Sequence, residues 1–238
     1  MKVLLTHAPG TLTDLQSRLE DQGHEVQHTP LIRIEPRLDD GTHRHAEALL
    51  DDPWILFTSR AAVKAWKALE LPLVGPRLGA VGRATKRSLE EAGGRVDVVG
   101  FPERAEGLAV AFMRHPHARG PVGLPQGSLA RTTLADSLHD SGHTVHPVTL
   151  YDTHVKDWPE GLTPDVIVVA SPSAASAVPD EMLRRCTLVA IGSMTGGAIM
   201  ERGVMPVVAT QPNTQGLYEA VQNASESHPH AFGRGLEA

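Results

Sequence analysis

The sequence holds a single cysteine, Cys186, in 238 residues. That excludes an intrachain disulfide and suits a reducing compartment. It also has no apolar run near the length of a membrane span. The first residues, "MKVLLTHAPG", carry one lysine and only Val3 to Leu5 as an uninterrupted apolar run, too little for a signal peptide. Positive charge is not in excess: the net charge of −6 argues against a general nucleic-acid binder, though not against a locally basic cleft. A cytoplasmic protein is expected, without nucleic-acid or membrane partners. The nucleotide and hydrolase signatures are missing as well. "GRATKR" and "GSMTGG" lack the G-x-G-x-x-G spacing that lets a pyrophosphate approach the backbone, and there is no Walker A motif. No G-x-S-x-G surrounds Ser59 or Ser171, so a nucleophile elbow is unsupported. Cys186 opens an apolar strand and reads as buried rather than catalytic. The 13 histidines include "HPHA" at 115–118 and again at 228–231, but no H-E-x-x-H or Cys-His framework accompanies them, so no metal is expected.

What the sequence does have is an internal repeat. "LGAVGRATKRSLEEAGG" (78–94) returns as "LVAIGSMTGGAIMERGV" (188–204), with Gly82 against Gly192, Thr85 against Thr195 and Gly93 against Gly203, an offset of 110. "ILFTSRAAVKA" (55–65) returns as "IVVASPSAASA" (167–177), offset 112, and "LQSRLEDQGHEV" (15–26) as "LADSLHDSGHTV" (134–145), offset 119. Three collinear matches at nearly one offset indicate a duplicated unit of about half the chain. In each copy short apolar strands such as "KVLLT", "WILFTS" and "DVIVVAS" alternate with helical patterns. "EVQHTPLIRIEP" (25–36) and "TVHPVTLY" (144–151) read as extended, and residues 224–238 as a loose tail. Alternating strands and helices imply parallel sheets covered on both faces. The expected fold class is therefore α/β, with two doubly wound parallel-sheet domains.

Ligands of open α/β sheets sit at the carboxyl ends of strands. Four strand-to-helix junctions qualify: Thr58-Ser59, Gly82 to Thr85, Ser171 to Ser173, and Gly192 to Thr195. Each can offer free backbone N–H groups and a hydroxyl at a helix N-terminus, either as a cap alone or as an anion site. A carboxylate ligand suits such a set, because the helix dipole adds about 0.3–1 kcal/mol per site. Arg33, Arg60, Lys64, Arg83, Lys86, Arg104 and Arg131 could add a basic wall or stand as solvated surface charges.

The pieces "LFTSRAAV" (56–63), "AVGRATKRSLEEAG" (80–93), "VTLYDT" (148–153), "VVASPSAA" (168–175), "VAIGSMTGGAIMERG" (189–203) and "TQPNTQGLYEAV" (210–221) resemble, in order, the uroporphyrinogen-III synthase family. The resemblance implies a cofactor-free, cyclising hydro-lyase acting on hydroxymethylbilane, a polycarboxylate linear tetrapyrrole. It implies two α/β domains, 1–32 with 153–223 and 37–146, joined by linker strands at 30–36 and 146–153. A monomer is expected. By position, Tyr151 matches the linker tyrosine favoured as donor to the leaving hydroxyl, and a strand tyrosine packing on a domain face is the plain alternative. Ser59 and Ser171 match the family's strand-end serines, and Thr85 and Thr195 the threonines after the glycine junctions. With Arg60, Gly82, Ser173 and Gly192 from the junctions and the basic wall, they are the expected substrate-binding residues. Two departures stand out. The first strand ends Thr6-His7 where the family often has Thr-Arg, and Met194 replaces a small or hydroxyl residue. From another class, a two-domain binding or sensor protein for an acidic small molecule has the same fold grammar. Turnover separates the two.

Overall fold

The computed structural model describes residues 1–227, apart from Pro9 and Thr13. In chain order the elements are β1 (Lys2–Leu5), α1 (Leu15–Glu20), β2 (Glu25–His28), β3 (Ile32–Pro36), α2 (Asp40–Ala48), a 3-10 turn (Leu49–Asp51), β4 (Trp54–Phe57), α3 (Arg60–Ala68), β5 (Arg77–Ala80), α4 (Arg83–Glu91), β6 (Val96–Val99) and α5 (Ala105–Met113). They continue with β7 (Val122–Gly127), α6 (Thr133–Asp140), β8 (Val145–Val155), β9 (Val166–Val169), α7 (Pro172–Ala177), α8 (Asp180–Arg185), β10 (Thr187–Ala190), α9 (Ser193–Met200), β11 (Val207–Val208) and α10 (Thr214–Ser227). The chain divides into one unit of residues 1–33 with 154–238 and another of 34–153.

The first unit holds a sheet of order β11-β10-β9-β1-β2, parallel throughout. Its strands are apolar on both sides, so alternate residues enter two different layers. Val3, Leu5, Val166 and Val168 pack with Leu15, Leu19 and Leu217 of α1 and α10. Leu4, Ile167 and Val169 pack with Ala174, Leu183 and Ile199 of α7, α8 and α9.

The second unit holds a sheet of order β3-β8-β7-β4-β5-β6. Ile55, Phe57, Leu78 and Ala80 face Ala46, Trp66 and Leu89 of α2, α3 and α4. Trp54, Leu56, Val98, Val122 and Leu124 face Leu108, Phe112, Leu134 and Leu138 of α5 and α6. "HPHA" at 115–118 serves this layer: the His115 ring packs edge-on to Trp54, and the His117 carbonyl accepts from the Trp54 indole N–H at 2.8 Å. The second "HPHA" lies outside the described residues.

Numbered within each unit by position in the repeat, the first sheet has the doubly wound order 2-1-3-4-5, and the second has the same order with β3 added beyond β8. The two copies exchange their opening segments. β1–α1–β2, from the first copy, completes the sheet of β9, β10 and β11. β7–α6–β8, from the second, completes the sheet of β4, β5 and β6. Paired glycines of the repeat share a left-handed backbone that other residues seldom adopt: Gly23 and Gly142 (φ 79° and 85°), Gly93 and Gly203 (φ 90° and 80°).

Several elements differ from the sequence reading. "EVQHTPLIRIEP" is not one extended stretch. It breaks at Thr29–Leu31, where Pro30 has no N–H to donate, and its halves become edge strands of different sheets, β2 and β3. Residues 146–151, read as linker, are also the strand of the second sheet that pairs with β7, in register from Val122↔Val145 to Gln126↔Thr149, after which the register shifts by one residue and Gly127 pairs with Tyr151. β3 runs antiparallel to β8, as the bonds Arg37 N–H to Leu150 O and Lys156 N–H to Leu31 O require. Residues 224–227, read as tail, continue α10, and Ala224 is buried against the first unit's core. The rest of that stretch lies outside the described residues.

Candidate functional site

In a 2-1-3-4-5 sheet the ligand crevice opens where the strand order reverses, beyond the carboxyl ends of the first and third strands. In the second unit those strands are β7 and β4, which end at Gly127 and Phe57. Ser59 follows β4 and caps α3. Its backbone is extended, and its Oγ accepts from the Ala62 N–H at 3.0 Å. Tyr151, on β8, brings its hydroxyl to 3.1 Å from the same Oγ. The phenol therefore lies at the reversal point of this sheet. Burial pushes its pKa above the ordinary value, with the Ser59 contact opposing, so at neutral pH it is a protonated donor.

Arg60, the first residue of α3, and Lys64, one turn on, are exposed and make no ion pair among the described residues. They are the available cations of the expected basic wall. Arg83 pairs with Glu103 at 2.8 Å, Lys86 with Glu90 at 3.6 Å and Arg104 with Glu106 at 3.5 Å, while Arg33 and Arg131 have interactions of their own.

The Gly82 junction is less open than its sequence suggests. Gly82 is extended and precedes α4, but a Cβ there would lie 2.8 Å from the Glu103 Cβ, so the chain's own acidic side chain covers this helix start. Thr85 is buried, as is its counterpart Thr195, at 4% and 2% exposure. What these two junctions present outward is backbone rather than threonine hydroxyl.

In the first unit the matching strand ends are those of β1 and β9. Ser171 caps α7 as Ser59 caps α3, with its Oγ accepting from the Ala174 N–H at 3.1 Å. Ser173 stands half-buried in the first turn. Gly192 precedes α9 with open space around it, the nearest neighbour of an added Cβ being Pro212 at 3.9 Å, and Met194 is exposed. Gly196 has a packing role that the sequence does not signal, since an added Cβ would meet Val208 of β11 at 2.9 Å.

His7, just past β1, is 5% exposed and stacks on His28 with ring centroids 4.1 Å apart. The His28 Nε2 bonds to the His7 carbonyl at 2.8 Å. Burial first, then the neighbouring imidazole, lowers the His7 pKa to about 4, so this departure places a neutral ring at the strand end instead of a cation. Cys186 is half-buried, donates to the Pro164 carbonyl, and has its thiol pKa pushed up by burial, all unlike an activated nucleophile. Among the described residues no helix is long and apolar enough to cross a membrane.

The sequence model of the family Uroporphyrinogen-III synthase HemD matches residues 13–219. No curated protein matches the chain significantly in sequence. Among solved structures, a mutant uroporphyrinogen III synthase from Thermus thermophilus superposes with a TM-score of 0.70 at 22% identity, covering 96% of this chain and 99% of that one. The wild-type Thermus thermophilus enzyme gives 0.55 at 22% identity, with 94% and 99% covered. A uroporphyrinogen-III synthetase from Helicobacter pylori gives 0.59 at 16% identity, again with 94% and 99% covered. At such identities the structures speak for the fold. The family match spans most of the chain and takes in every predicted site residue, so the chain belongs to the uroporphyrinogen-III synthase HemD family.

Proposed function

We propose that this chain closes hydroxymethylbilane into uroporphyrinogen III, with loss of water and inversion of ring D, and that Tyr151 is the donor to the departing hydroxyl. The observation that carries the assignment of Tyr151 is its hydroxyl bonded to Ser59 at the strand-order reversal, where an α/β sheet binds its ligand. Ser59 takes the Ala62 N–H and can still donate its own proton to the phenol oxygen, which leaves the phenol proton directed to a ligand. The terminal hydroxyl then departs as water, and the pyrrole nitrogen stabilises the azafulvene that remains. The substituted carbon of ring D attacks it, and the spiro intermediate fragments and recloses with that ring inverted. The protein's work is chiefly to hold the chain folded and exclude direct closure to the symmetrical isomer.

Substrate carboxylates are met by Arg60, Lys64 and the α3 N-terminus in the second unit. In the first unit the Ser171–Ser173 and Gly192 junctions offer backbone N–H groups. In this reading the enzyme works as a monomer in the cytoplasm. The test supplies freshly made hydroxymethylbilane to the purified chain, with no metal or organic cofactor added, and measures type III against type I product. Mainly type III is expected. A product wholly of type I, as in buffer alone, would reject the assignment.

A further inference from the structure

β7 and β8 run in register from Val122↔Val145 to Gln126↔Thr149, and then Gly127 pairs with Tyr151. One residue of β7 thus advances against two of β8, with Leu150 as the extra residue. In a regular strand Leu150 and Tyr151 would point to opposite faces. The bulge lets both enter one apolar layer, with Ile55, Phe57 and Trp66. It also lays the Tyr151 ring directly over Gly127. A Cβ at Gly127 would lie 2.5 Å from the ring Cζ and 2.8 Å from the phenol oxygen, and would also overlap Cε2. No such contact is tolerated.

The backbone of Gly127 is outside the left-handed region, so its conformation does not require glycine. The space taken by the ring does. Nor can the strands part to make room. The Ser128 N–H donates to the Tyr151 carbonyl at 2.9 Å, and the Thr153 N–H donates to the Ser128 Oγ at 3.3 Å. With both backbones pinned, a methyl group at Gly127 has to displace the ring, and the phenol leaves Ser59.

We infer that Gly127 is a positioning residue for Tyr151: its missing side chain is the slot in which the phenol lies, bridging the end of β7 to the Ser59 cap at the end of β4. The catalytic consequence rests on the assignment of Tyr151 as proton donor, whereas the placement of the ring does not. Gly127→Ala is expected to lower turnover about as much as Tyr151→Phe does, about ten- to a hundredfold, with KM changed little. In a Tyr151→Phe background the same substitution should lower turnover no further, because the hydroxyl it misplaces is already gone.

The placement is read separately by NMR of ring-labelled tyrosine. The chain has 2 tyrosines, and the Tyr151 signals are those missing from Tyr151→Phe. In Gly127→Ala they should move towards those of an exposed tyrosine. If Gly127→Ala does not fold, pairing it with Tyr151→Ala should restore folding by removing the obstacle. Unmoved Tyr151 signals, an equal loss of turnover in both backgrounds, or a fold lost in both would each overturn the inference. If Tyr151→Phe itself turns over at the normal rate, the donor assignment fails, and the NMR signals still decide whether Gly127 places the ring.

Discussion

Ser59 and Ser171 begin equivalent helices with nearly the same backbone, φ −158° and −161°, and cap them with the same bond. Only Ser59 also meets a phenol among the described residues. Removing either hydroxyl should therefore lower stability by about 1 kcal/mol through the lost cap, read as equal shifts in urea midpoint. Turnover should separate them, with Ser59→Ala losing several times more activity than Ser171→Ala. Equal losses would mean that the phenol contact carries no chemistry. Tyr151→Phe, which keeps the ring and removes the donor, should reduce turnover about ten- to a hundredfold, about 1.4–2.7 kcal/mol of barrier, with its unfolding transition little changed. His7 is expected to act on stability instead. Its folded pKa, about 4, lies below the ordinary 6.5. Between those values the unfolded chain binds a proton that the folded chain refuses, so stability is full above pH 6.5 and falls as the pH drops to 4. The slope is at most about 1.4 kcal/mol per pH unit. Urea titrations at several pH values should show a shallower decline in His7→Gln. An unchanged slope would place the acid sensitivity elsewhere.

At the scale of elements, α4 shows how a helix start that reads as open can be occupied from within. Glu103 covers Gly82 and holds the Arg83 guanidinium, 20 positions away in sequence, and nothing in "GRATKR" announces it. Glu103→Gln frees a cation beside a helix N-terminus. With the competing carboxylate neutralised, a substrate carboxylate at this helix start gains about 0.3–1 kcal/mol, so KM for the polyanionic substrate is expected to fall about two- to fivefold at low salt. A raised KM would show that Glu103 itself orders this loop for binding. Helices α2 and α8 escaped the sequence reading for a related reason. α2 carries only Thr42 and Ala46 as buried residues, and α8 spans 6 residues, so neither displays a full apolar face. The cap of α2, with the Asp39 carboxylate accepting from the Thr42 N–H at 2.9 Å, was the available signal.

For the molecule as a whole, the exchange of β1–α1–β2 and β7–α6–β8 makes one unit continuous in sequence and the other not. Both apolar layers of the second unit are drawn from residues 46–151, and all six of its strands lie between 32 and 155. A fragment of residues 32–155 should therefore fold alone and unfold in urea with a single sigmoid transition by circular dichroism. A fragment without a cooperative transition would mean that the second unit depends on the first for its fold. The first unit joins β1 and β2 to strands more than 130 residues away, Val3 pairing with Val166, so residues 154–227 without the first 33 should lack such a transition.

The sequence by itself determined what depends on near neighbours: the alternation of two-faced apolar strands with helices, the paired glycine turns, the serine caps and the doubled order of all these. Those features rest on local backbone preference and side-chain periodicity, which a stretch of ten to fifteen residues carries whole. It also marked Ser59 and Tyr151 separately, each by its place in a family pattern. Only the tertiary structure decided which opening segment completes which sheet, because parallel pairing joins strands through long crossovers and similar apolar strands leave the partner open. The same long-range pairing, with a one-residue bulge in β8, set Tyr151 over Gly127 and against Ser59. Three residues scattered between positions 59 and 151 come into contact through strand register, and register is settled by how whole faces bury rather than by any residue's neighbours in the chain.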